Sequence, residues 1–171
     1  MSKEILLTST RFQVVRHTYT DHEGQVHTKD AIEHSGAVVI LPVLDDGRIC
    51  LIRNFRIATG ETLIELPAGT REAEESTLST ALRELEEETG YRAESMKPIC
   101  DFYVSPGILN ERMYLFLARH LLAGSLQLQP GEQIETLLVS PAEALAMIKD
   151  GRIHDAKTIT GLLLYFQFHQ G

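Results

Sequence analysis

The sequence predicts an α+β fold, an α/β/α sandwich in which a mixed sheet lies between helices, with an N-terminal β-hairpin extension. Three observations predict it. Short β-branched runs bounded by turn residues recur from Phe12 to Val139, one sharply punctuated helix interrupts them after Ser76, and the chain turns helical from Ser140 onward. The 171 residues suit one domain with an appendage, and we divide them into a hairpin segment, 1–34, and a main domain, 35–171.

In chain order, two polar and β-branched segments between Phe12 and about Ala31 flank Asp21-His22-Glu23-Gly24, a surface hairpin pattern poor in core residues. Ala37 to Leu44 reads as a buried strand; Asp45-Asp46-Gly47-Arg48 supplies a turn, and Ile49 to Arg53 returns. Thr62 to Leu66 is a short strand and Pro67-Ala68-Gly69 a break. Ser76 is the N-cap of a helix that Gly90 stops. Ile99 to Val104 and Met113 to Arg119 are strands on either side of Ser105-Pro106-Gly107, and Ile134 to Val139 is another. Ser140-Pro141-Ala142-Glu143 combines an N-cap, a proline at the first helical position and a reciprocal capping glutamate, with Gly151 closing that helix. Asp155 caps a last apolar helix reaching Phe168.

Composition narrows the function. Hydrophobic residues make 43% and charged residues 23% of the chain, which excludes a disordered protein. With 24 acidic against 16 basic side chains the net charge is −8, so the counterion-release term that drives non-specific nucleic-acid binding is missing and no nucleic-acid partner is expected. Apolar runs such as Ala37 to Leu44 are too short to span a bilayer, so no membrane partner is expected either. Cys50 and Cys100 form no motif and fit a reducing cytoplasm. The seven histidines show neither HExxH nor a Cys/His cluster, which disfavours zinc.

The acidity is concentrated. Gly69 to Tyr91 holds seven Glu and two Arg, a net −5 of the −8. On a helix with Glu84 at zero, Glu88 falls at about 40° and Glu87 at about −60°, so three carboxylates share one arc while Glu86 faces away. Leu78, Leu82 and Leu85 form a stripe beside that arc, expected to dock the helix on the sheet. Like charges this close need a cation, either a neighbouring Arg or Lys or a divalent metal, and hard divalent ions take oxygen ligands. A solvated acidic face without a ligand is the bland alternative.

Spacing decides between them. Gly69, five residues, Glu75, seven residues, Arg83-Glu84-Leu85, one residue, Glu87-Glu88, one residue, Gly90-Tyr91 resembles the signature box of the Nudix hydrolases, GX5EX7REUXEEXGU, with U a bulky apolar residue. Only Tyr91 is a loose match, aliphatic residues being commoner there. The resemblance implies a mixed sheet between helices and hydrolysis of a nucleoside diphosphate linked to another moiety, with Mg2+ or Mn2+ as cofactor. It implies Glu84, Glu87 and Glu88 as metal ligands together with the carbonyl of Ala68, Arg83 as a catalytic-site residue paired with Glu75, and structural roles for Gly69, Glu75 and Gly90.

Glu65-Leu66-Pro67-Ala68-Gly69, Ser105-Pro106-Gly107 and Gly151-Arg152-Ile153-His154-Asp155-Ala156-Lys157-Thr158 resemble the ADP-ribose pyrophosphatase branch, Pro106 being the most specific match. This branch implies substrate contacts for Arg56, Thr70 and Glu111. Glu132, in Pro130-Gly131-Glu132, matches a loop glutamate that serves as a further metal ligand or general base, with Glu135 and Glu111 as rivals for the base. The hairpin segment resembles one commonly exchanged between two subunits, which implies a homodimer in which Phe12 or Tyr19 stacks on a base or simply packs. The implied reaction is ADP-ribose to AMP and ribose 5-phosphate; GDP-mannose or another nucleotide sugar is the alternative substrate, and a non-catalytic module sensing ADP-ribose or NAD is the remote one.

Overall fold

The structure, a computed structural model, describes residues 1–72, 74–128, 131 and 133–169. Its first element is a separate antiparallel sheet of β1 (Ser2–Thr8), β2 (Phe12–Thr20) and β3 (Val26–His34), in the order β1-β2-β3. The β2–β3 hairpin is the one expected; its loop closes on the Asp21 carboxylate, which accepts from the N–H groups of Glu23 and Gln25 at 2.9 Å. The β1 strand is absent from the sequence reading. All seven of its residues are exposed, so it carries no core signature to reveal it, and in this sheet only Val15 is fully buried.

Two further sheets make the body of the molecule. One has the order β7-β4-β9-β8, from β4 (Ala37–Pro42), β7 (Ala68–Thr70), β8 (Tyr91–Tyr103) and β9 (Arg112–Ala123), and it is mixed because β4 runs parallel to β9 and antiparallel to β7. The other is antiparallel, β10-β5-β6, from β5 (Ile49–Arg56), β6 (Glu61–Glu65) and β10 (Ile134–Val139). The mixed sheet is therefore present, with the outer antiparallel one in addition to it.

Helices cover both faces. Side chains alternate along β4: Val38 and Ile40 join Phe116 and Ala118 beneath Ala81 and Leu85 of α1 (Thr77–Thr89), while Val39 and Leu41 join Leu51, Leu66 and Leu115 against α2 (Pro141–Lys149) and α3 (Ala156–Phe168). Coverage on both sides is why β4 is a continuous apolar run instead of an alternating one. Gly161 lets α3 approach closely, since a methyl group there would stand 2.7 Å from Leu66 Cδ1 and 3.3 Å from Leu115 Cδ1.

Local chemistry accounts for the helix limits. Ser76 accepts from the Ser79 N–H at 3.1 Å, and Gly90 ends α1 in the left-handed region at φ 71°, as its punctuation predicts. The capping box of α2 forms through Ser140 and Glu143, and Asp155 caps α3. The strand limits differ more. Where a strand is expected only from Ile99, β8 begins at Tyr91; it is an edge strand with a register shift between Pro98 and Cys100, and an edge tolerates the proline that hides it in the sequence. The Pro67-Ala68-Gly69 break contains the start of the three-residue β7. No helix among the described residues is long and apolar enough to cross a membrane.

Candidate active site

Two glutamates of α1, Glu84 and Glu88, are on its docked side. Thr80, Ala81, Glu84, Leu85, Glu88 and Thr89 are buried, whereas Leu78 and Leu82 are 45% and 40% exposed. This corrects the expected Leu78–Leu82–Leu85 stripe: Leu85 docks, but its partners are Ala81 and two carboxylates. The reason is the loop running through β7, which lies against α1 where a purely apolar face would have met the sheet. Gly69 is the tightest point, because a methyl group there would overlap the Glu84 carboxylate.

Arg83 gathers the neighbouring acids. Its Nη1 donates to Glu84 Oε1 at 2.7 Å and to Glu87 Oε2 at 3.1 Å, while Nε and Nη2 donate to the two oxygens of Glu75 at 3.2 and 3.1 Å. The bond to Arg83 holds the Glu75 carboxyl below the usual carboxylate range despite the opposing effect of burial. Glu88 Oε2 accepts from the Ala68 N–H at 2.9 Å, which ties the end of α1 to the residue that precedes Gly69. Glu86 faces away and pairs with Arg92.

Glu75, Glu84 and Glu87 share the Arg83 guanidinium and Glu88 closes on the Ala68 N–H, which gathers four carboxylates into one half-buried cluster of oxygen donors. Among the described residues no three His, Cys, Asp or Glu side chains already converge on one ion-sized point. Arg83 and the Ala68 N–H hold the carboxylates instead. The donor set, all oxygen and rich in carboxylates, fits a hard divalent cation and no soft one.

A second network stands behind the β6–β7 connection. Glu65 is completely buried; Arg56 grips it through Nε at 2.8 Å and Nη2 at 2.6 Å, and Lys157 donates to Glu65 Oε2 at 2.5 Å. Burial pushes the Glu65 carboxyl up, but the bonds and charges of Arg56 and Lys157 outweigh it and hold the group below its ordinary value. Sequence reasoning singles out the segments carrying Glu65 and Lys157 without giving either side chain a task; a polar residue preceding a buried Leu-Pro pair is the available signal.

The remaining expected residues lie further out. Thr70 pairs with Ala37 at the end of β7. Glu111 Oε1 is 3.3 Å from His34 Nδ1, at the seam where β3 meets the 105–111 turn through Ile32–Ile108, Ile32–Asn110 and His34–Asn110 hydrogen bonds. Pro106 lines a cavity of about 430 Å³ with Tyr19, Tyr103 and Asn110, and no α1 carboxylate borders it. Phe12 and Tyr19 are each 39% exposed. Glu135 pairs in register with Arg53, so alternation turns it to the face of β5 and β10 opposite Arg56. Glu132 lies outside the described residues.

Fold and site together define an α+β protein with an oxygen-donor, anionic centre on a loop–helix–loop element. The NUDIX domain model matches residues 33–162, and the chain belongs to the Nudix family. It is 39% identical over 137 residues to an ADP-ribose pyrophosphatase of Bacillus subtilis, covering 79% of this chain and 74% of that one. It is 33% identical over 171 residues to a GDP-mannose pyrophosphatase of Cronobacter sakazakii, covering 92% and 89%. The crystal structure of an ADP compounds hydrolase superposes with a TM-score of 0.85 at 22% identity, over 98% of this chain and 91% of that one, which supports the fold.

Proposed function

We propose that the protein hydrolyses the pyrophosphate bond of nucleoside diphosphate sugars in a divalent-metal-dependent reaction, with ADP-ribose cleaved to AMP and ribose 5-phosphate. The observation that carries this is the intact box folded so that Glu84 and Glu87 share Arg83 while Glu88 closes on the Ala68 N–H, which brings three carboxylates together beside the loop that enters the box. Glu84, Glu87 and Glu88, with the Ala68 carbonyl, are the residues that would hold the ion, Mg2+ in the first instance and Mn2+ as its substitute. When bound, such an ion cancels pyrophosphate charge and acidifies a coordinated water.

The chain's own groups do the rest. Arg83 bridges Glu84 and Glu87 through Nη1 and is itself fixed by Glu75. Arg56 and Thr70 meet the substrate's phosphates and ribose, and a guanidinium half open to solvent suits a phosphate oxygen. Glu132 takes the proton of the attacking water, with Glu111 contacting substrate from the 105–111 turn. Gly69, Glu75, Gly90 and Pro106 shape the loops that hold these groups.

Residues 1–34 are proposed to form a distinct segment that is exchanged within a homodimer; the exposed apolar side chains Ile5, Leu7 and Val26, 53%, 51% and 69% exposed, support contact with a second copy there. Two free, unpaired cysteines agree with a cytoplasmic location.

The kinship with a GDP-mannose pyrophosphatase favours one second reading, in which that nucleotide sugar is the preferred substrate. A panel of nucleotide sugars with Mg2+ separates them. AMP release from ADP-ribose at far higher kcat/KM than GMP release from GDP-mannose supports the first reading, and the reverse order replaces it.

A further inference from the structure

Two segments 92 residues apart in the sequence, Glu65-Leu66-Pro67 and Asp155-Ala156-Lys157-Thr158, meet in one buried network. Glu65 is the hub: its side chain is 1% exposed, that of Lys157 8% and that of Arg56 36%. Lys157 is itself held by Asp155 at 3.0 Å, and Asp155 accepts from the Thr158 N–H and hydroxyl at 3.0 and 2.6 Å. Thr158 Oγ1 in turn accepts the Leu66 N–H at 2.8 Å, so the start of α3 is stitched to the strand that leads into the box.

Stability alone is a poor reason for this arrangement. Buried ion pairs are often no better for stability than apolar residues of equal volume, because desolvation offsets the attraction. The geometry has a direction, however. Arg56 uses its Nε and Nη2 edge on Glu65, which leaves the Nη1 edge of a rigid planar fork for another anion. An Arg–Glu pair by itself is electrically complete; a second cation on the same carboxylate, Lys157 on Oε2, draws part of Glu65's charge and leaves Arg56 more available to a phosphate. Arg56 also lies within the field of the box: after Glu65 itself, the charges of Glu88 and Asp155 stabilise its protonated form.

We propose that Glu65 and Lys157 are positioning residues that present Arg56 to the diphosphate of the nucleotide sugar, without touching substrate themselves. This rests on the hydrolase function proposed above. It accounts for the joint presence of the two segments, since Glu65 holds Arg56 and Lys157 in turn holds Glu65.

The test is a double-mutant cycle in the full-length protein, with steady-state kinetics on ADP-ribose and Mg2+ and thermal unfolding of each variant. Arg56→Ala and Lys157→Met are each expected to raise KM about tenfold or more with a smaller change in kcat, the size of a lost charged hydrogen bond. The double variant is expected to be no worse than Arg56→Ala, and Lys157→Arg to restore most of the KM. Losses that multiply in the double variant, or a Lys157→Met protein with lowered Tm and unchanged KM, overturn the proposal. If Lys157→Met does not fold, Glu65→Gln takes its place in the cycle: a raised KM with no further loss in the double variant supports the proposal, and multiplying losses or an unchanged KM overturn it. A wild type active on ADP-ribose with a multiplicative cycle removes this proposal alone. A folded wild type inert toward every nucleotide sugar removes the hydrolase function and this proposal with it.

Discussion

On α1 one guanidinium, Arg83, is shared by Glu75, Glu84 and Glu87, whereas between β5, β6 and α3 two cations, Arg56 and Lys157, meet two carboxylates, Glu65 and Asp155. The first network is rich in carboxylates and the second is formally balanced. Both are substantially buried, so the cluster on α1 is not that of a solvated surface. A half-buried cluster rich in carboxylates suits a cation from outside the chain, and a balanced network suits parts that must hold still. The pair thus sets a place whose donors suit a cation beside a place whose bonds suit orienting a side chain.

The largest effect expected from breaking this contrast is at Glu88. Glu88→Gln keeps the side-chain volume and an acceptor for the Ala68 N–H, so the fold should persist, but it removes one of the cluster's charges. We expect metal-dependent turnover to fall about 10³-fold or more with the circular dichroism melt little changed. Near-normal kcat in the folded variant would remove the case for a metal centre on α1.

A smaller loss is expected from Gly69→Ala, which leaves every charge in place and disturbs only position. The added methyl would overlap the Glu84 carboxylate, so either that side chain or β7 must shift. A displacement of about 1 Å at a catalytic group costs on the order of 10²-fold in rate. Activity equal to wild type would mean that Glu84 does not need the place it occupies.

Legibility in the sequence follows the same division. The carboxylate-rich network is readable because its residues lie on one helix, where a fixed rise and rotation turn spacing into geometry: Arg83, Glu84, Glu87 and Glu88 are together as soon as the helix is. Ser76 and Gly90, Ser140 and Asp155 likewise mark their helix ends through local hydrogen bonding that needs no tertiary context. The balanced network is not readable, since Glu65 and Lys157 meet only through packing of α3 on the sheet. The exposed leucines of α1 mislead for a related reason: periodicity finds an apolar stripe but not which neighbour competes for the docked face, and here the β7 loop brings Glu84 and Glu88 inward past Leu78 and Leu82. Edge position hides β8, whose Arg92-Ala93-Glu94-Ser95 start is polar and whose proline argues against a strand.

The smallest effect should appear in acid, and it belongs to the balanced network. Arg56 and Lys157 lower the folded-state pKa of Glu65 beneath its ordinary value of 4.5, against the burial that raises it. A carboxyl depressed on folding contributes stability that is fully present above its unfolded pKa and is lost as pH falls through the folded one. Stability measured by urea unfolding between about pH 3 and pH 7 should therefore hold steady in the upper part of the range and decline below about pH 4.5. Glu65→Gln should lower the plateau, because Lys157 and Arg56 lose the charge that compensates their burial, and should make the acid decline shallower, because one titrating group is gone. Part of the decline should survive in that variant through Glu75, which Arg83 also holds down. Identical acid slopes in wild type and Glu65→Gln would show that the Arg56–Glu65–Lys157 network gives the folded state no preference for the ionised carboxylate, and with it the contrast between the two networks would lose its energetic basis.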